Sequence, residues 1–195
     1  MIRSTLASIA LALALPVAHA AVVFQDGFET TTPGGNVPPA GWTVTDGSVE
    51  VLGSGFFGDL CRPGTQCVDL DGSSSQAGRL GFSLDLTAGT YLLSYGLAGS
   101  QRGDTNTVNI SLDGFSIDRV LASGDAYTVF QDIVTIGADG TYQIAFLNGG
   151  GDNLGALLDD VRLETVEGGE VPVPGALALM GAGLLGLGAS LRRRR

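Results

Sequence analysis

The chemistry open to this chain is carboxylate chemistry. Its 195 residues include 20 acids against 10 arginines, one histidine and no lysine. His19, Met1 and Met180 fall in the apolar segments at the two ends, so residues 21–171 contain no His, Lys or Met. Ser-His-Asp and Cys-His catalysis and His-ligated zinc are thereby excluded. Schiff-base chemistry and Ser-Lys dyads need a lysine and go with them. A glycan hydrolase or lyase working with two opposed carboxylates survives this test, yet no motif singles out a pair. The same stretch keeps five arginines against all 20 acids, a formal charge of −15. That field repels nucleic acid and anionic headgroups.

Binding chemistry has more candidates. The loop Gln101-Arg102-Gly103-Asp104-Thr105-Asn106 carries Arg102, Asp104 and Asn106, with Asn109 just beyond. Guanidinium and amide groups make paired hydrogen bonds of the kind sugar hydroxyls accept and donate, although a solvated loop needs no such purpose. A sugar site also wants a flat aromatic. Trp42, Tyr91 and Tyr95 read as core, whereas Phe56-Phe57 reads as an exposed tip or a core plug. Asp69-x-Asp71-Gly72 resembles the start of an EF-hand loop but lacks flanking helices and a Glu at the twelfth place, so it is a turn. Cys61 and Cys67 sit in Cys-Arg-Pro-Gly-Thr-Gln-Cys. In an exported chain this is a local disulfide closed over a Pro63-Gly64 turn; a metal pair would need further Cys or His ligands.

The elements that position these residues are strands. Tyr91, Leu93, Tyr95 and Leu97 alternate along one face, as do Val108, Ile110 and Leu112, and Tyr142, Ile144 and Phe146. Apolar on one face and small polar on the other fits antiparallel sheets covered on one side. Ten runs read as strands: 22–24, 42–45, 49–52, 67–70, 79–86, 90–97, 107–112, 127–136, 141–147 and 156–165. Turns at Asp46-Gly47, Asp71-Gly72, Asp113-Gly114 and Asp139-Gly140 connect them. The expected fold is all-β, an antiparallel two-sheet β-sandwich of the jelly-roll type.

Both ends read as targeting segments. Residues 1–20 hold Arg3, an apolar run from Leu6 to Leu15 and Ala18-His19-Ala20, a signal peptide with a mature start at Ala21. Residues 168–174 are a linker ending in Val171-Pro172-Val173-Pro174. Residues 175–191 are 17 uncharged positions, about 25 Å as a helix, the short limit for a membrane span. Residues 192–195 are Arg192, Arg193, Arg194 and Arg195, which stay cytoplasmic. A permanent anchor, a GPI signal and a processed sorting signal compete; terminal arginines argue against GPI. Residues 21–167 remain as the sandwich, long enough for one core.

The proline motif, the Gly/Leu/Ala segment and the arginines together resemble the PEP-CTERM sorting tail of Gram-negative bacteria. Val173 stands where the usual motif has glutamate. The resemblance implies export, transient inner-membrane anchoring, cleavage by an exosortase-type protease, and display at the cell surface or release.

The middle of the chain has its own resemblance. Phe24-Gln-Asp-Gly-Phe-Glu29, Gly41-Trp42-Thr-Val, Gln66-Cys-Val-Asp-Leu70, Gly89-Thr-Tyr-Leu-Leu-Ser-Tyr-Gly-Leu-Ala-Gly99 and Leu158-Asp-Asp-Val161 resemble, in that order, galactose-binding-like jelly rolls and carbohydrate-binding modules. That family implies glycan binding without catalysis, with its first and last strands side by side. The pairing would bring Asp26 and Glu29 to Asp159 and Asp160, hard oxygen donors suited to a structural calcium, with Asp46 a further ligand; turn and strand-end hydrogen bonding is the alternative. The expected partner is extracellular polysaccharide. A structural or adhesive matrix protein without a ligand site, and a carboxylate-dependent glycan enzyme, are the alternatives.

Overall fold

Alternation along the strands determines which side of each is buried. The computed structural model describes residues 20–63 and 65–166. Among them are eleven strands and no helix: β1 (Val22–Asp26), β2 (Thr43–Thr45), β3 (Glu50–Leu52), β4 (Cys67–Asp69), β5 (Arg79–Leu86), β6 (Gly89–Ala98), β7 (Thr105–Leu112), β8 (Phe115–Ala122), β9 (Thr128–Ile136), β10 (Gly140–Gly149) and β11 (Leu157–Thr165). One sheet runs β3-β4-β11-β6-β9, with β1 also on β11; the other runs β2-β5-β10-β7-β8. All strand pairings are antiparallel. The two sheets form the expected sandwich. The signal peptide, the 168–174 linker and motif, the 175–191 helix, the arginine cluster and Gly64 lie outside the described residues.

The core fills with the side chains that the sequence pattern marked. Tyr91, Leu93, Tyr95 and Leu97 of β6 share one cluster with Val108, Ile110 and Leu112 of β7 and with Ile144 and Phe146 of β10. Burying each such side chain contributes roughly 1.5–3 kcal/mol. Trp42 belongs here too: it is 5% exposed and packs within 5.9 Å, 5.6 Å and 5.3 Å of Phe24, Phe28 and Phe82.

One strand departs from the sequence reading. β8 follows β7 through Asp113-Gly114, where Asp113 takes φ 53°. Its inward residues are Phe115, Ile117, Arg119 and Leu121, so a guanidinium interrupts the apolar alternation, while Val120 points outward at 68% exposure. Arg119 Nη2 lies 2.6 Å from Asp132 Oδ1, and Tyr95 donates its hydroxyl to Asp132 Oδ2 at 2.6 Å. This polar plug closes the sandwich between the edge strands β8 and β9. Desolvation pushes the Tyr95 hydroxyl upward, so it stays a donor.

Candidate functional site

β1 and β11 are adjacent, as the chain order of their motifs implied: Asp26 is the partner of Val161 and Gln25 of Arg162. β11 carries a bulge between Asp159 and Arg162, with Asp160 at φ 50°. A bulge turns successive side chains off the strand alternation. Here Asp159 is sealed at 3% exposure, whereas Asp160 opens outward. Beside the bulge is a cleft of about 500 Å³ lined by Gln25, Asp26, Gly27, Glu29, Asp160 and Arg162. Three of the four acids expected to converge, Asp26, Glu29 and Asp160, do meet in it.

Their donors are largely engaged. Asp26 accepts from Phe28 N at 2.7 Å and from Trp42 Nε1 at 2.8 Å. Glu29 Oε1 accepts from Gln66 N at 2.8 Å. Arg62 Nη2 donates to Asp159 Oδ2 at 2.6 Å and to Asp160 Oδ2 at 2.5 Å. The Arg62 guanidinium also lies 4.1 Å from the Tyr127 ring centroid, and Tyr127 donates to Asp160 Oδ2 at 2.9 Å. The Tyr127 ring packs against Gly96, where a Cβ would come within 2.1 Å of it. Burial pushes the Asp159 carboxyl up, against the hydrogen bond from Arg62 that pulls it down; that same bond raises Arg62.

In this arrangement the acids expected to hold calcium carry hydrogen-bond partners from the protein itself. A single guanidinium spans Asp159 and Asp160, and each Asp26 oxygen already accepts from an N–H donor. Asp46 sits in the exposed β2–β3 turn at φ 63°. Among the described residues no group of three or more His, Cys, Asp or Glu is placed to hold a metal.

A disulfide-closed loop lies beside this cleft, its Arg62 reaching Asp160. Cys61 and Cys67 are bridged, with Cα atoms 5.6 Å apart. Phe56, Leu60, Cys61 and Tyr127 pack on Leu52, Cys67, Ala98 and Leu157, a second small core on the outer face of the six-stranded sheet. The bridge holds Arg62, its neighbour in sequence, over β11. A further hollow of about 330 Å³ lies on the loop side, lined by Glu29, Ser54, Gly58, Thr65 and Gln66. Glu29 lines both hollows.

The polar loop expected to meet sugar has a different job. Arg102 Nη2 pairs with Asp69 Oδ2 at 2.6 Å, and its other donors reach the carbonyls of Asn153, Gly155 and Ser100. Asp69 is fully buried, and desolvation lifts its carboxyl to about 7 although Arg102 pulls it down. Asp104 accepts from Ser100 Oγ and Asn106 Nδ2. Asn106, 1% exposed, donates to Leu154 O at 2.8 Å and accepts from Asn148 Nδ2 at 2.7 Å. Arg102, Asp104 and Asn106 therefore strut two loops together, their hydrogen bonds spent inside the protein. Asn109 stands apart on β7, donating to Ser116 Oγ at 2.9 Å and Asp118 Oδ1 at 2.7 Å. Arg62 and Tyr127 went unmarked in the sequence; the one available signal was Arg62's position next to Cys61.

Residues 170–195 match the PEP-CTERM protein-sorting motif. The chain carries a PEP-CTERM tail. It is thus an exported protein, membrane-anchored before processing. The sandwich in front of this tail has the jelly-roll fold of carbohydrate-binding modules. It is similar to the CBM22-1 xylan-binding domain of Paenibacillus barcinonensis Xyn10C, at TM-score 0.50 and 12% identity over 77% of this chain and 98% of that one. It is similar to the CBM22-1-CBM22-2 tandem of the same protein at TM-score 0.51 and 13% identity, over 78% of this chain and 48% of that one. It is also similar to the CBM22-1-GH10 modules of Clostridium thermocellum xylanase 10B, at TM-score 0.51 and 16% identity over 76% of this chain and 29% of that one. These likenesses are of fold. No curated protein matches the chain in sequence.

Proposed function

We propose that the PEP-CTERM-tailed sandwich binds polysaccharide at the cell surface or in the extracellular matrix, without catalysis, after its tail is processed by an exosortase-type protease. The observation that carries this reading is the open groove along the β1–β11 seam on a carbohydrate-binding-module fold. The groove combines carboxylates, amides and one guanidinium, Arg162, the mixed polar lining that orients hydroxyl-rich ligands. Similar sandwiches include a domain described as xylan-binding and a module pair solved with xylohexaose.

The acids support a non-catalytic reading. Hydrolysis needs a protonated acid facing a second carboxylate across the sugar. In this region Asp159 is the acid pushed upward, and it lies sealed under Arg62 instead of facing the groove.

The test is retention of the full-length protein, purified in mild detergent, on insoluble xylan, cellulose, galactan and the producer's own exopolysaccharide. The expected result is retention on at least one polymer, with no new reducing ends released. Passage through all of them with self-association intact would sink the reading in favour of a structural matrix protein.

A further inference from the structure

We infer that the glycan taken by the cleft beside the β11 bulge carries free amines, a chain of de-N-acetylated amino sugars rather than a neutral or acidic one; this rests on the polysaccharide-binding reading above. The cleft, about 500 Å³, is lined by three acids, Asp26, Glu29 and Asp160, against one arginine, Arg162. That arginine is already engaged. Its Nη2 donates to Glu164 Oε1 and its Nη1 to Gln25 Oε1 at 3.3 Å. Arg62, the other cation of the region, spans Asp159 and Asp160 from the disulfide loop and is not among the residues that line the cleft.

The hydrogen bonds leave acceptors over. Both Asp26 oxygens are taken. Asp160 gives Oδ2 to Arg62 and Tyr127, and Glu29 gives Oε1 to Gln66 N. Among the described residues, Asp160 Oδ1 and Glu29 Oε2 accept nothing. Asp160 Oδ1 faces the cleft: a Cβ on Gly27, which lines it, would stand 3.4 Å from this oxygen. The Asp160 side chain is 51% exposed, so a ligand can reach it. Gln66, hydrogen-bonded to Glu29, keeps a third acceptor without a donor, its enclosed Oε1.

Surplus acceptors select a ligand rich in donors. A hydroxyl offers one hydrogen, whereas an ammonium offers three and a full positive charge. Its bonds to carboxylate are roughly twice as strong as neutral ones. The field of the domain, −15 over residues 21–171, has the same preference: it repels acidic glycans and draws in a polycation. The field acts everywhere on the surface, but the unpaired carboxylate oxygens of Glu29 and Asp160 are in one cleft. Local and general attraction are therefore separable.

The experiment titrates oligomers of glucosamine and of N-acetylglucosamine, matched in length, into the full-length protein in mild detergent at about pH 6, beside the polymer panel above. Wild type should bind the amine form at least tenfold more tightly than the acetylated form. Glu29→Gln combined with Asp160→Asn should weaken that binding at least tenfold. Asp113→Asn combined with Asp118→Asn, two exposed acids of the β7–β8 hairpin in the other sheet, changes the net charge equally and should cost less than twofold. Melting temperatures are read in parallel, and the wild-type comparison of the two oligomers decides the matter if the cleft variant does not fold. Equal losses from the two double variants would reduce the effect to the general field and overturn the inference. Equal binding of both oligomers, or retention on a neutral polymer without binding of the amine oligomer, overturns it too and leaves the polysaccharide reading standing. Failure on every polymer and both oligomers overturns both.

Discussion

Arg62 Nη2 lies 2.6 Å from Asp159 Oδ2 across 97 residues of sequence. The aspartate side chain is 4% exposed and the arginine side chain 37%. The acid therefore bears the desolvation cost, and the arginine, half in water, offsets it.

Arg62→Ala leaves a buried carboxylate without its partner. Removing one member of a buried pair costs about 3–5 kcal/mol; the partial exposure of Arg62 reduces this to about 2 kcal/mol. Adding Asp159→Asn should recover most of the loss. Urea unfolding of both single variants and the double variant measures this, and strictly additive losses would contradict the pairing.

Chelation should leave the fold untouched. Arg62 bridges the two aspartates of β11, and among the described residues no three acids are grouped to hold a metal, so excess EDTA is expected to shift the melting temperature by less than about 1 °C, far short of what a lost structural ion would cost. A clear drop restored by added calcium would bring the metal reading back.

Stability should fall as pH rises from about 4 to about 7. Burial holds the Asp69 carboxyl at about 7, and Asp71 and Asp159 are raised as well. A raised acid keeps its proton in the native state while the unfolded chain releases it, so the native state binds more protons within this window. The Asp69 part of the slope is at most about 1.4 kcal/mol per pH unit. Asp69→Asn, whatever it does to absolute stability, should flatten the dependence of the urea midpoint on pH. An unchanged slope would contradict the assignment.

Where a few residues decide a feature locally, the chain spelled it out. Alternation in β6, β7 and β10 fixed their inner faces because the side-chain period is two. The two cysteines needed only a short loop, and Asp113-Gly114 only a turn. β8 was illegible because Arg119 faces inward to a partner, Asp132, that lies on another strand. Arg102 shows the same limit in reverse. Its side-chain type says it can grip a hydroxyl or a carboxylate, but burial of Asp69, 33 residues earlier, decides which. The β1–β11 seam was foreseen. Yet the cation that answers its acids is Arg62, brought there by a bridge and a bulge that no spacing rule contains.

The Cys61–Cys67 bridge also bears on when the protein becomes competent. Thiols stay reduced in the cytoplasm and pair in oxidising compartments. Thr65 and Gln66 of that loop line the smaller hollow, and Arg62 of it reaches Asp159 and Asp160. A newly made copy with reduced thiols would therefore lack the bridge that holds Arg62 against the β11 bulge, and would gain it only after export.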